Sequence, residues 1–177
     1  MSKLPDKSSA SRDIDAFLAR ASKAVAANHG NPRLLFAIDA TASRQPTWDT
    51  AAQLQHHMFA AAAKVGNLSL QLCFYRGIGE LKASPWIADT ESLSRLMRRV
   101  RCEGGHTQIA RLLRHALREH QKAPIRAVIF IGDAVEESPD DLCALAGECG
   151  LGGLPLFVFQ EGLDTAVETT FRSLAKL

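Results

Sequence analysis

The sequence lacks the local signatures of several large enzyme classes. It has no G-x-S-x-G, no P-loop and no G-x-G-x-x-G after its first strand-like run. A nucleophile-elbow hydrolase, a P-loop nucleotidase and a dinucleotide-binding oxidoreductase are therefore not expected. None of the four cysteines (Cys73, Cys102, Cys143, Cys149) forms a C-x-x-C pair. They read as buried free thiols rather than as a disulfide frame or a zinc site. No apolar run approaches the ~18 residues that span a bilayer, and no apolar stretch of a secretory signal follows Met1–Lys7. No membrane contact is expected, and the expected location is cytoplasmic. A net charge of +2 argues against a dedicated nucleic-acid binder. Internal repeats and low-complexity tracts are also lacking.

What is present is the composition of one ordinary globular domain. The chain has 177 residues, 46% of them hydrophobic and 23% charged, enough to bury a full core without staples. Residues 1–11 are polar and serine-rich and read as a disordered leader. Residues 12–177 read as a single domain. Its first helix, over 12–30, carries Ile14, Phe17, Leu18, Ala21 and Val25 at helical spacing. Gly30 and Pro32 end it.

Over 33–177 short buried strands alternate with helices. Leu34–Ile38, Ala127–Ile131 and Leu156–Phe159 are continuous apolar runs, typical of parallel strands covered on both faces. Leu68–Phe74 alternates apolar and polar, and after the Gly77-Ile78-Gly79 turn Glu80–Ala83 returns as a short antiparallel edge strand. Helices are expected over Thr50–Val65, Thr90–Val100, from just after Thr107, from Pro139 to Cys149 and over Asp164–Leu174. This alternation predicts an α/β fold: a doubly wound, mostly parallel central sheet with one antiparallel edge strand and helices on both faces.

In such sheets ligands bind at the carboxyl ends of the strands, where the winding direction changes. Asp39-Ala40-Thr41-Ala42-Ser43 directly follows the first buried strand. Asp133 ends the Ala127–Ile131 strand, and Gly104-Gly105-His106-Thr107 feeds a helix start. If the chain winds outward from the first strand and restarts on its other side, these segments meet. They would offer two carboxylates and three hydroxyls, all hard oxygen donors, which suits Mg²⁺ or Mn²⁺.

This pattern resembles the von Willebrand factor type A (VWA) family with its metal-ion-dependent adhesion site (MIDAS). The family's motif is Asp-x-Ser-x-Ser, then a distant Thr, then a distant Asp. Here Thr41 replaces the first Ser and keeps the hydroxyl, and the resemblance spans about residues 33–174. It implies an intracellular, stand-alone member of the bacterial type with a Rossmann-like VWA fold. By the resemblance, Thr41 and Ser43 bind the metal directly. Thr107 joins in the ligand-competent state, and Asp39 and Asp133 act mostly through water. A partner protein's Asp or Glu would complete the coordination. Trp48, His106 and Glu136 are expected on the partner-binding rim, and the chain ends leave room for a homodimer contact.

Two alternatives stand beside this reading. Asp39-x-Thr41 superficially resembles the haloacid-dehalogenase type phosphatases, but those need a second acid where Thr41 stands, so an enzyme is not the expectation. The other is a metal-free scaffold. The arginines of 95–101 and 111–118 read as solvated helix faces, and His56-His57 as no metal site.

Overall fold

The computed structural model describes residues 31–64 and 66–177. The expected leader and first helix lie outside the described residues. Strand β1 (Arg33–Asp39) is followed by a 3-10 turn (Ala42–Thr47) and helix α1 (Trp48–Lys64). Strands β2 (Ser69–Arg76) and β3 (Glu80–Ala83) come next, then helices α2 (Thr90–Arg99) and α3 (Ile109–Lys122). Strand β4 (Ile125–Gly132), helix α4 (Pro139–Leu151), strand β5 (Leu156–Gln160) and helix α5 (Thr165–Lys176) complete the order.

The five strands form one sheet in the order β3-β2-β1-β4-β5. β1 lies parallel to both β2 and β4, and β4 is parallel to β5. Among the described residues, only the β2–β3 strand pair is antiparallel. The winding thus reverses between β1 and β4, and the carboxyl ends of these two strands are adjacent.

Burial on both faces explains the continuous apolar strands. Leu35 and Ala37 of β1 face α3, α4 and α5, packing with Leu112, Leu142 and Phe171. Leu34, Phe36 and Ile38 face α1 and α2, packing with Phe59, Leu93 and Met97. The Phe36 and Phe59 rings meet edge to face, with centroids 4.8 Å apart. At ~25 cal/mol per Å² of buried apolar surface, each such side chain contributes roughly 1.5–3 kcal/mol.

Local signals set most helix starts. The Asp89 carboxylate accepts from the N–H groups of Glu91 and Ser92 to cap α2. Ser138 caps α4 with Pro139 in its first turn, and Asp164 caps α5. Helix α4 runs past Gly150 to Leu151 instead of stopping at Cys149. Glycine is required there because a Cβ on Gly150 would collide with the backbone carbonyl of Leu177. All four cysteines are free; Cys73 and Cys149 are buried as expected, whereas Cys102 and Cys143 are only partly covered.

Candidate metal centre

Asp39 is the last residue of β1 and is fully buried. Both of its carboxylate oxygens are held. Oδ1 accepts the N–H of Thr41 at 2.8 Å, which turns the chain sharply off the strand. Oδ2 accepts the hydroxyl of Tyr75 at 2.9 Å, and Tyr75 stands directly beside Asp39 in the β1–β2 register. Burial pushes the Asp39 carboxyl above its ordinary pKa, the bonds from Thr41 and Tyr75 oppose that shift, and the charge of Asp133 adds to it. Burial likewise holds the Tyr75 phenol well above its usual value, reinforced by Asp39.

Beyond Asp39 the oxygens follow one another across the sheet's rim. Thr41 Oγ1 and Ser43 Oγ are 3.0 Å apart, and Ser43 Oγ donates to Asp133 Oδ1 at 3.2 Å. Asp133 follows the end of β4, next to β1. Gly132 makes this approach feasible: a Cβ there would press on the Phe130 ring at 2.9 Å and lie 3.5 Å from the Cβ of Asp39.

The spacing of these oxygens suits a small octahedral ion. Neighbouring ligands of a cation bound at ~2.1 Å lie ~3.0 Å apart, close to the 3.0 and 3.2 Å steps from Thr41 to Ser43 to Asp133. The set is all oxygen, with two carboxylates, as a hard divalent ion prefers. Among the described residues no group of three or more His, Cys, Asp or Glu forms a metal cage. Any site here therefore depends on the hydroxyls.

Thr107 is buried but holds a different partner. Its N–H donates to Glu136 Oε2 at 2.8 Å, and its Oγ1 accepts the N–H of Glu136 at 3.0 Å. This reciprocal pair fastens the 104–107 loop to the loop that carries Asp133. Next to it, Glu137 accepts the N–H groups of Ile109 at 2.6 Å and Ala110 at 2.9 Å. It caps α3 from a distant loop, since Gln108 makes no side-chain cap. On the other side Gly105 lies against the β2–β3 turn, where a Cβ would collide with the carbonyl of Gly77.

The three expected rim residues differ. His106 is exposed, with Nδ1 3.5 Å from Glu136 Oε2. Glu136 is half-exposed, its carboxylate engaged by Thr107. Trp48 is not on the rim: it is only 5% exposed and belongs to the core between the sheet and α1. The 3-10 turn places it there by swinging the chain inward before α1 starts.

Arg44 lies fully buried directly after the hydroxyl motif, at a position where no sequence pattern marks it. Its Nη1 donates to the backbone carbonyl of Asp39 at 2.6 Å. Its Nε and Nη2 donate to Glu161 at 3.1 and 2.7 Å. Tyr75 and Glu161 are further site neighbours that the sequence did not single out, whereas Glu136-Glu137 stood out only as surface charge or as a pair tuning the site's field. The only local signal was the placement of Arg44 beside Ser43 and of Glu161 just past a strand end.

No protein-family model and no curated protein matches the sequence. Solved structures do match. The VWA domain of SpRpn10 superposes with a TM-score of 0.64 at 13% identity, over 82% of each chain. The chain has the von Willebrand factor type A fold. Manganese-loaded TRAP of Plasmodium vivax shares this VWA fold with a TM-score of 0.63 at 16% identity, over 82% of the present chain and 63% of TRAP. So does proximal thread matrix protein 1 of the mussel byssus, with zinc in its MIDAS motif. Its TM-score is 0.64 at 13% identity, over 82% of the present chain and 39% of that protein. The present chain's sheet order brings the ends of β1 and β4 together.

Proposed function

We propose that this VWA domain docks a partner protein through a bound divalent cation, Mg²⁺ or Mn²⁺. Thr41 and Ser43 would hold the ion directly, with Asp39 and Asp133 acting mostly through water. Thr107 would join when the partner binds. The ion's remaining Lewis acidity would attract an Asp or Glu of the partner, in a charge-assisted, directional contact. The observation that carries this reading is Ser43, which touches both the Thr41 hydroxyl and the Asp133 carboxylate.

Two further features favour surface docking over catalysis. Among the described residues, two cavities of about 590 and 460 Å³ lie along β5 and α5, and no metal-loop residue lines them. Enzyme sites usually occupy such concavities. The Asp39 carboxylate is also committed to Thr41 and Tyr75, an arrangement that suits a metal-supporting group better than a phosphatase nucleophile. The free thiols fit a reducing, cytoplasmic setting. Among the described residues no helix is long and apolar enough to cross a membrane.

Thermal melting tests the proposal. Saturation at a hundredfold over the dissociation constant adds about 2.7 kcal/mol, or roughly 5–10 °C for a domain of this size. Mg²⁺ or Mn²⁺ should produce that shift, and Asp39→Ala should abolish it. Wild-type protein indifferent to both ions would refute metal-dependent docking and leave the metal-free scaffold.

A further inference from the structure

We propose that Arg44 and Glu161 form a positioning clamp that holds the Asp39–Ser43 loop in metal-binding geometry. The clamp rests on the metal-docking reading for its purpose, and its geometry stands independently. Arg44 reaches from the 3-10 turn to the loop after β5, crossing above β4. One guanidinium nitrogen holds the Asp39 carbonyl at 2.6 Å, where the metal loop begins. The other two grip both oxygens of Glu161 in a bidentate fork, at 3.1 and 2.7 Å. Thr47 adds a hydroxyl to Glu161 Oε2 at 3.1 Å, and the guanidinium lies 5.3 Å from the Trp48 ring centroid.

Glu161 is itself anchored. Its backbone N–H donates to the carbonyl of Gly132 at 2.8 Å, immediately before Asp133. The connection therefore runs from the Asp39 carbonyl through Arg44 and Glu161 to the peptide preceding Asp133. This link joins the backbones at Asp39 and Gly132, while Ser43 joins the Thr41 hydroxyl to the Asp133 carboxylate.

An apolar side chain would fill the same space without that link. A planar guanidinium has fixed donor directions, so it sets the loop's orientation as well as filling volume. Glu161 balances its charge, which matters beside a site for a dication. Electrostatics alone and positioning then give opposite expectations. Removing the positive Arg44 side chain should tighten cation binding if its charge dominates, and weaken it if its hydrogen bonds dominate.

The test is Mn²⁺ affinity, read from the free-ion electron paramagnetic resonance signal, for wild type, Arg44→Gln, Arg44→Lys and Glu161→Gln. The clamp expects at least a tenfold rise in dissociation constant for Arg44→Gln and Glu161→Gln. Arg44→Lys should give a smaller rise, because one ammonium cannot span both the carbonyl and the carboxylate. If Arg44→Gln does not fold, Arg44→Lys and Glu161→Gln decide the matter. Amide hydrogen exchange without metal supplies a second readout. Thr41 and Arg44 amides should exchange at least tenfold faster in the variants, with β4 amides unchanged. Unaltered affinity and loop exchange, with only lower global stability, would reduce the pair to core filling and overturn the clamp. If wild type binds no Mn²⁺, the docking reading fails and loop exchange alone judges the clamp.

Discussion

Tyr75 donates its phenolic hydrogen to Asp39 Oδ2 across the β1–β2 register, 2.9 Å away and out of contact with solvent. The bond helps keep a buried carboxylate charged where burial favours its neutral form. Tyr75→Phe should destabilise the metal-free domain by about 1–3 kcal/mol in urea denaturation. It should also raise the pH below which Mn²⁺ binding is lost, because the Asp39 carboxyl becomes easier to protonate. A variant with wild-type stability and an unchanged binding-pH profile would show the bond to be incidental.

Under metal-dependent docking, Asp39 would trade stability for cation binding. Its folded pKa is raised, so its contribution to stability is fully present below the unfolded carboxyl value and is lost as pH rises through the folded one. At neutral pH without metal, the buried charge is a burden. Asp39→Asn should therefore stabilise the metal-free domain at pH 7, on the order of 1 kcal/mol, while eliminating the metal-induced shift. Urea titrations at pH 7, with chelator and with Mg²⁺, measure both effects. A less stable metal-free Asn variant would mean that the carboxylate's bonds outweigh its desolvation.

Glu137 supplies the cap that α3 lacks locally. Glu137→Ala should cost about 1 kcal/mol, in line with loss of a helix cap. It should raise amide exchange at Ile109 and Ala110 selectively. Uniform exchange changes across the domain would argue against a local capping role.

Gly105 is fixed by contact rather than by backbone angle, since a side chain there would strike the Gly77 carbonyl. Gly105→Ala should lower stability by about 1–3 kcal/mol, as overpacking does elsewhere. It should also shift the backbone resonances of the 77–79 turn.

Thiol accessibility checks the packing of the sheet face covered by α3, α4 and α5. Burial pushes the Cys73 thiol up to about 12 and Cys149 to about 11. A disulfide exchange reagent at pH 8 should modify Cys102 and Cys143 in the native protein, and Cys73 and Cys149 only after unfolding. Rapid labelling of Cys73 in the folded domain would contradict its place in the sheet core.

Much of this was legible from residue order. Apolar runs such as Leu34–Ile38 identified two-sided strands, because burial on both faces leaves no polar alternation. Strand ends located Asp39 and Asp133, and the observed β1–β4 adjacency met the condition for their convergence. The misses share a physical origin. Trp48's place just beyond Ser43 suits it to the rim as well as to packing under the loop, and the structure shows the packing. Arg44, Tyr75 and Glu161 matter through partners as far as 36 to 117 residues away. No local periodicity encodes such pairings. Nothing in the sequence signals the tie between Thr107 and Glu136, which depends on a loop that approaches from another strand.

The most direct test of the central claim is a Mn²⁺ titration of wild type and Ser43→Ala, followed by the free-ion paramagnetic resonance signal. Ser43 is the residue that joins the two halves of the site. Wild type should bind one ion per chain, and a Ser43→Ala variant that remains folded should bind at least tenfold more weakly. A full free-ion signal with wild type, or equal binding by Ser43→Ala, would contradict it.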